Sequence, residues 1–307
     1  PFAPEGAGNH YLLRVRKVGV NTDLVAKDLA RWAGCRPRDV GYAGLKDRHA
    51  VAIQHFTVPT DRLDGDPGAW AGQSWRVLGA ERVRKKLQRG TLAGNGFRLL
   101  LRMEPGARCA AGARFERAAR WGVPNYFGPQ RFGRHGSNLV GARRWFDEGK
   151  APGRRERGMI LSGARSYLFN RVLAARIADG TWNCLLTGEL AVFADSNSGF
   201  VVANPASEGD RLAKGDLHPS GPLPGTDGLA PAERAAALEA SVLEEEAGLI
   251  RGLRDQEVRA HRRALRALPQ EATWEPDTAG IRIAFRLPAG AFATSVVREV
   301  MEVRREE

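Results

Sequence analysis

The chain has 307 residues, 43% hydrophobic and 27% charged, which is enough apolar material for two domains with separate cores. No apolar run is long enough to span a bilayer, Pro1 to His10 has no charged start followed by an apolar stretch, and the scattered Cys35, Cys109 and Cys184 exclude a disulfide framework or a paired zinc site. The net charge of +12 favours a polyanionic partner, nucleic acid first, and the default location is cytoplasmic.

His10 to Lys17 alternates loosely around Tyr11, Leu12, Leu13 and Val15, predicting a strand that ends at Val18-Gly19. A helix follows, capped by Asn21 or Thr22, with Leu24, Val25, Leu29 and Trp32 on one apolar face and Gly34 as its stop. Arg36 to Val40 reads as a connecting turn, Ile53 to Val58 as a strand, Pro59 to Ala71 as a surface loop and Trp75 to Leu78 as another strand. Between Arg82 and Arg102 stand seven cations and no acidic residue, a segment that repels itself unless it is solvated or faces phosphates. Within it Asn95-Gly96 predicts a tight hairpin turn and Phe97 the start of a buried strand running to Leu101.

Ala107 to Trp121, Ser137 to Phe146 and Met159 to Asp179 have helical patterns, with Ser137 as a cap and Leu161, Leu168, Val172 and Ala175 on one face of the third. Leu190 to Phe193 and Phe200 to Val202 read as short strands, and Asp216 to Gly228 as a Pro- and Gly-rich loop. Helices are predicted from Pro231 to Ala247 and from Ile250 to Leu268, the second with an arginine face that solvent or an RNA backbone would take up. Ile281 to Leu287 alternates cleanly as a strand, and Thr294 or Ser295 caps a final helix. The cysteines fit small core positions.

Chemistry concentrates in Gly41-Tyr42-Ala43-Gly44-Leu45-Lys46-Asp47-Arg48-His49-Ala50. Gly41 and Gly44 read as turn glycines that free the chain to place Asp47 at a tip. Lys46 and Arg48 flank Asp47, and a neighbouring cation favours the ionised carboxylate, the form that a nucleophile or base requires. Taken alone, the tripeptide reads first as a solvated turn with an exposed ion pair. His49 and His55 read as polar packing or RNA contacts.

The run resembles A-G-x-K-D-[KR]-x-A, the catalytic motif of the TruD family of tRNA pseudouridine synthases. Four further stretches carry the same resemblance: Leu92-Ala93-Gly94-Asn95-Gly96-Phe97, Gly122-Val123-Pro124-Asn125-Tyr126-Phe127-Gly128-Pro129-Gln130-Arg131-Phe132-Gly133, Ala164-Arg165-Ser166-Tyr167-Leu168-Phe169-Asn170, and Leu287-Pro288-Ala289-Gly290-Ala291-Phe292-Ala293-Thr294-Ser295-Val296-Val297-Arg298-Glu299. The loop residues Pro222 to Gly225 also match the family.

The resemblance implies an α/β (α+β) protein. Residues 1–121 plus 269–307 would form a discontinuous catalytic domain with a mixed, mainly antiparallel sheet and flanking helices, and 122–268 an inserted α/β domain. It implies an isomerase acting on a tRNA uridine in the D arm, with Asp47 as catalytic carboxylate, Asn95 and Lys46 at the substrate, and the rings of Phe292 and Phe97 against the extruded uracil. No metal or organic cofactor is implied, and no protein partner is evident. The aromatic and glycine-rich stretch from Gly122 is equally a base-stacking surface or a small core with turns. A strand that opens the family, P-x-D-F-x-V-x-E, has no match here, so one wall of the uracil pocket would be missing from this polypeptide. The alternative function is a non-catalytic RNA-binding protein using the same basic surface. A glycosidase-like reading lacks a second carboxylate at a suitable place.

Overall fold

The computed structural model describes residues 7–61, 65–194, 196 and 198–302, so residues 62–64 of the predicted surface loop lie outside the described residues. The architecture is α+β, and the chain divides into a unit ending at Gly94 and another beginning at Asn95.

In the first unit, β1 (His10–Val18) leads to α1 (Thr22–Trp32), followed by β2 (Gly41–Tyr42), β3 (Val51–Pro59), β4 (Ala71–Gly72) and β5 (Trp75–Val83). These strands form one antiparallel sheet in the order β2-β3-β1-β5-β4. Period-two alternation turns Leu13, Val15 and Lys17 of the central β1 inward, and α1 covers them with Val25, Ala26, Leu29 and Ala30. Phe56, Val58, Trp70, Trp75 and Val77 complete the core. Each fully buried Leu, Val or Phe contributes about 1.5–3 kcal/mol relative to exposure. Leu24 and Trp32 lie outside this face, both 49% exposed, because the helix turns its small residues Ala26 and Ala30 toward the sheet. Trp32 instead meets the rings of Trp70 and Trp75 at 5.8 and 6.3 Å.

The second unit contains β6 (Gly94–Arg102), α2 (Arg108–Trp121), β7 (Val123–Pro124), α3 (Ser137–Glu148), α4 (Arg154–Ala178), β8 (Leu190–Phe193), β9 (Gly199–Val201), α5 (Gly209–Lys214), β10 (Leu217–His218) and β11 (Ser220–Leu223). It continues through α6 (Glu233–Leu243), α7 (Ala247–Asp255), β12 (His261–Ala264), β13 (Arg266–Ala267), β14 (Gln270–Asp277), β15 (Gly280–Pro288) and α8 (Ala293–Val300). The sheet β14-β15-β6 packs Leu101, Ile281, Ile283, Phe285 and Leu287 against Phe115 and Ala118 of α2 and Val296 and Val300 of α8. Helices α3, α4, α6 and α7 share a second cluster around Trp145, Ile160, Leu168, Val172, Leu243 and Leu253. Small sheets β10-β8-β9, β11-β12 and β13-β7 complete the described part of the region.

Several expectations are corrected. The predicted helix from Ile250 to Leu268 stops at Asp255, and β12 and β13 follow. The arginines there have tertiary partners that favour extended chain: Arg262 bonds Glu239 and Ser220, Arg263 bonds Asn125, and Arg266 bonds His218. Asn95-Gly96 is not a turn but part of β6; the nearby left-handed residue is Gly90, φ 91°. The predicted loop from Asp216 to Gly228 contains β10 and β11. Neither Thr294 nor Ser295 caps α8, whose cap position is Phe292, and Gly136 rather than Ser137 precedes α3. Cys35 is half-buried, while Cys109 and Cys184 are exposed; for Cys109 the reason is that the periodicity of α2 turns Ala111, Phe115 and Ala118 inward instead.

Candidate active site

Asp47 lies in residues 43–50, the connection from β2 to β3, with its side chain exposed and Lys46 half-buried beside it. Neither Gly41 nor Gly44 has a positive φ, so the turn does not depend on glycine's backbone freedom. Gly41 is required by space: a Cβ there would run into the Leu87 carbonyl and the Thr57 hydroxyl.

Three buried polar side chains fix the loop from below. Lys17 is fully buried, and its Nζ donates to the carbonyls of Val20 at 2.8 Å, Lys46 at 3.2 Å and Asp47 at 2.8 Å. Thr22 Oγ1 accepts from the Lys46 amide at 3.0 Å and donates to Gln54 Oε1 at 3.0 Å. Gln54 Nε2 donates to the Gly44 carbonyl at 2.5 Å, and on the far side the Gly90 amide donates to Ala43 at 2.9 Å. The loop's backbone is thus bound by side chains of β1, α1 and β3 rather than by ladder hydrogen bonds, which gives one conformation to a segment outside the sheet.

An open hollow of about 270 Å³ beside it is lined by Asn21, Thr22, Asp23, Leu45, Lys46, Asp47 and Arg48. Burial pushes the Lys46 and Lys17 ammonium groups below the usual lysine range, while the Asp47 charge opposes that fall in both. Next to the hollow, Tyr42 donates to Asp23 Oδ1 at 2.5 Å and accepts from Arg89 Nη2 at 2.9 Å. An exposed carboxylate with cations around it and a firmly held backbone can serve as a nucleophile or base toward a bound electrophile. His49 and His55 are exposed, His55 opposite Arg14 across the β1-β3 pair.

The other predicted substrate residues belong to the second unit. Asn95 is half-buried near the start of β6. Phe97, two residues on, stacks on Phe285 with centroids 5.4 Å apart, so one of its faces is used in packing. Phe292 is half-buried in a different cluster, with Phe127, Phe169, Leu173 and Leu265. Its turn is tied down by Arg263, which donates to Gly290 O at 2.9 Å and Asn125 Oδ1 at 2.6 Å and lies 4.1 Å above the Phe127 ring. Burial lowers the Arg263 guanidinium to about 10.

The glycine- and aromatic-rich stretch packs as a small core. Asn125 and Phe127 are buried, and Asn170 locks Phe127 through both its backbone groups, at 3.0 and 3.1 Å. Only part of the stretch faces outward: Arg131 is exposed and stacks over Phe127 at 5.2 Å.

Sequence reasoning missed Lys17, Thr22 and Gln54. For Lys17 a signal was present, since Leu13, Val15 and Lys17 share one phase of β1 and the alternation already turned a lysine into the core. Thr22 fits a helix cap by sequence, yet its hydroxyl serves the loop instead.

Comparison with known proteins agrees across nearly the whole chain. The family described as tRNA pseudouridine synthase D (TruD) matches residues 2–143 and 154–300. The tRNA pseudouridine synthase D of Nitrosococcus oceani is 45% identical, covering 99% of this chain and 87% of that protein. That of Methylococcus capsulatus is 44% identical, covering 98% and 86%. A crystal structure from Methanosarcina mazei, described as a candidate TruD, superposes with a TM-score of 0.75 at 22% identity, covering 98% of this chain and 90% of that one, and so shares the fold. The chain therefore belongs to the tRNA pseudouridine synthase D family.

Proposed function

We propose that this isomerase of the TruD type converts one uridine in the D arm of a tRNA to pseudouridine, with Asp47 as the catalytic carboxylate. The reaction breaks the bond from ribose C1′ to N1, turns the uracil and rejoins it through C5, with the C5 proton lost and a proton gained at N1. A carboxylate can open this sequence by attacking C1′, by adding to C6, or by removing a proton from C2′. All three routes need an ionised acid beside a base taken out of its stack. In this reading Asn95 presents an amide to an edge of the uracil, Phe292 and the free face of Phe97 stack on it, and Lys46 contacts the substrate.

The observation that carries the reading is a solvent-facing Asp47 on a loop held by Lys17, Thr22 and Gln54, in a chain whose family is a uridine isomerase. We further propose residues 1–121 plus 269–307 as the catalytic domain and 122–268 as an insertion. The core of β6, β14, β15, α2 and α8 supports it, since it joins residues from both sides of the proposed insertion, with Val123 and Ala267 entering from the insertion's two ends.

The test is an Asp47→Asn variant assayed by mass-spectrometric mapping of pseudouridine on tRNA. Binding without any pseudouridine is expected; conversion at the wild-type rate removes Asp47 from its role. Mapping the modification lost from a deletion strain identifies the uridine, and a protein that only binds RNA would leave every pseudouridine in place.

A further inference from the structure

Lys17 lies at a position that the fold could fill with an apolar side chain. It shares the inward phase of β1 with Leu13 and Val15 and is fully excluded from solvent. Desolvating an ammonium costs several kcal/mol, and mutual attraction with a paired anion is the usual compensation. Here compensation comes from neutral carbonyls. The three N–H donors of the ammonium meet three carbonyl oxygens, those of Val20, Lys46 and Asp47, so its hydrogen-bonding capacity is filled by the backbone before and within the Asp47 loop.

We propose that Lys17 is a positioning residue for the isomerisation: it fixes the backbone at Asp47 and supplies a buried positive charge close to the Asp47 residue. The inference rests on Asp47 being the reacting group. Two of the three accepting carbonyls belong to Lys46 and Asp47 themselves, so displacing the ammonium releases the peptide units on both sides of the Asp47 Cα. A methionine of similar length would fill the space without making these bonds. Charge acts in the same direction as geometry. Burial lowers the Lys17 ammonium, and the Asp47 charge raises it against that effect. The other charged groups nearby are Lys46 and Arg48 on the loop and Asp23 on α1, which line the same hollow as Asp47. Lys46 opposes the Asp47 effect on Lys17.

The experiment compares wild type, Lys17→Met and Asp47→Asn in single-turnover assays with enzyme in excess over tRNA. Lys17→Met is expected to lower the rate of the chemical step by about tenfold or more, the scale set by small misplacements of a reacting group. The tRNA Kd should stay at the wild-type value, a split between binding and chemistry that a general loss of folding would not produce. A folded Lys17→Met protein with the wild-type rate overturns the inference. If that variant does not fold, the decision passes to nuclear magnetic resonance of the Lys17 side chain in wild type and in Asp47→Asn, an exposed substitution. Loss of the carboxylate charge should move the Lys17 titration to lower pH, and an unmoved titration overturns the inference. Full activity of Asp47→Asn would instead sink the underlying assignment of Asp47, whatever the behaviour of Lys17.

Discussion

Acid should weaken the second unit through His218, a group outside the proposed chemistry. Its Nδ1 accepts a hydrogen bond from Arg266 Nε at 3.0 Å, so the ring must be neutral at that atom. Arg266 also donates to the carbonyls of Leu212 and Leu217 and is itself buried. Burial, reinforced by the Arg266 charge, lowers the His218 imidazole from 6.5 to about 4. The unfolded chain therefore binds the extra proton at higher pH than the folded one. Stability from the neutral ring is fully present above about pH 6.5 and falls as pH drops toward 4. Linkage across those two values gives a loss of about 2 kcal/mol between pH 7 and 5, and about 3 kcal/mol by pH 4. Urea denaturation at pH 7, 6 and 5 measures this, with His218→Leu as the reference that cancels every other titrating group. Wild type should lose about 2 kcal/mol more than the variant over that interval. Parallel pH dependences would refute the assignment of a neutral, Arg266-bound His218.

Other perturbations test separate parts of the fold. Glu189 is fully buried and accepts from Arg176 Nη1 at 2.8 Å and from the Leu186 and Ser220 amides, so Glu189→Ala strands a buried guanidinium and should cost about 3–5 kcal/mol in urea denaturation. Thr22→Val removes the hydroxyl between Gln54 and the Lys46 amide; a loss of about 1–3 kcal/mol is expected, with faster hydrogen exchange at Lys46, and unchanged exchange would discount the network. Gly280 has φ 153°, and a Cβ there would collide with the Leu101 carbonyl, so Gly280→Ala should cost at least about 1–3 kcal/mol by thermal denaturation, while a neutral effect would show that β15 can shift. The affinity for tRNA should fall linearly in log-log form as salt rises, since a chain of net charge +12 meets a polyanion, and a flat response would argue against phosphate contacts.

Local pattern was sufficient where burial follows a simple period. Alternation marked β1, β3 and β15, and helical spacing marked α2, α3 and α4, because each buries one regular face. Five long motifs were enough to place the chain in its family and to single out Asp47 as the residue to test. What local pattern could not supply were the partners of polar side chains. Arg262, Arg263 and Arg266 read as part of a helix face, yet their bonds to Glu239, Asn125 and His218 hold them in strands. Glycine spacing suggests a tight turn at Asp47, whereas close approach of the Leu87 carbonyl and the Thr57 hydroxyl requires Gly41 and an inward lysine holds the loop. Backbone propensity is short-ranged and legible in order; the desolvation of a charge is settled by groups tens of residues away, and only the folded chain brings them within hydrogen-bonding distance.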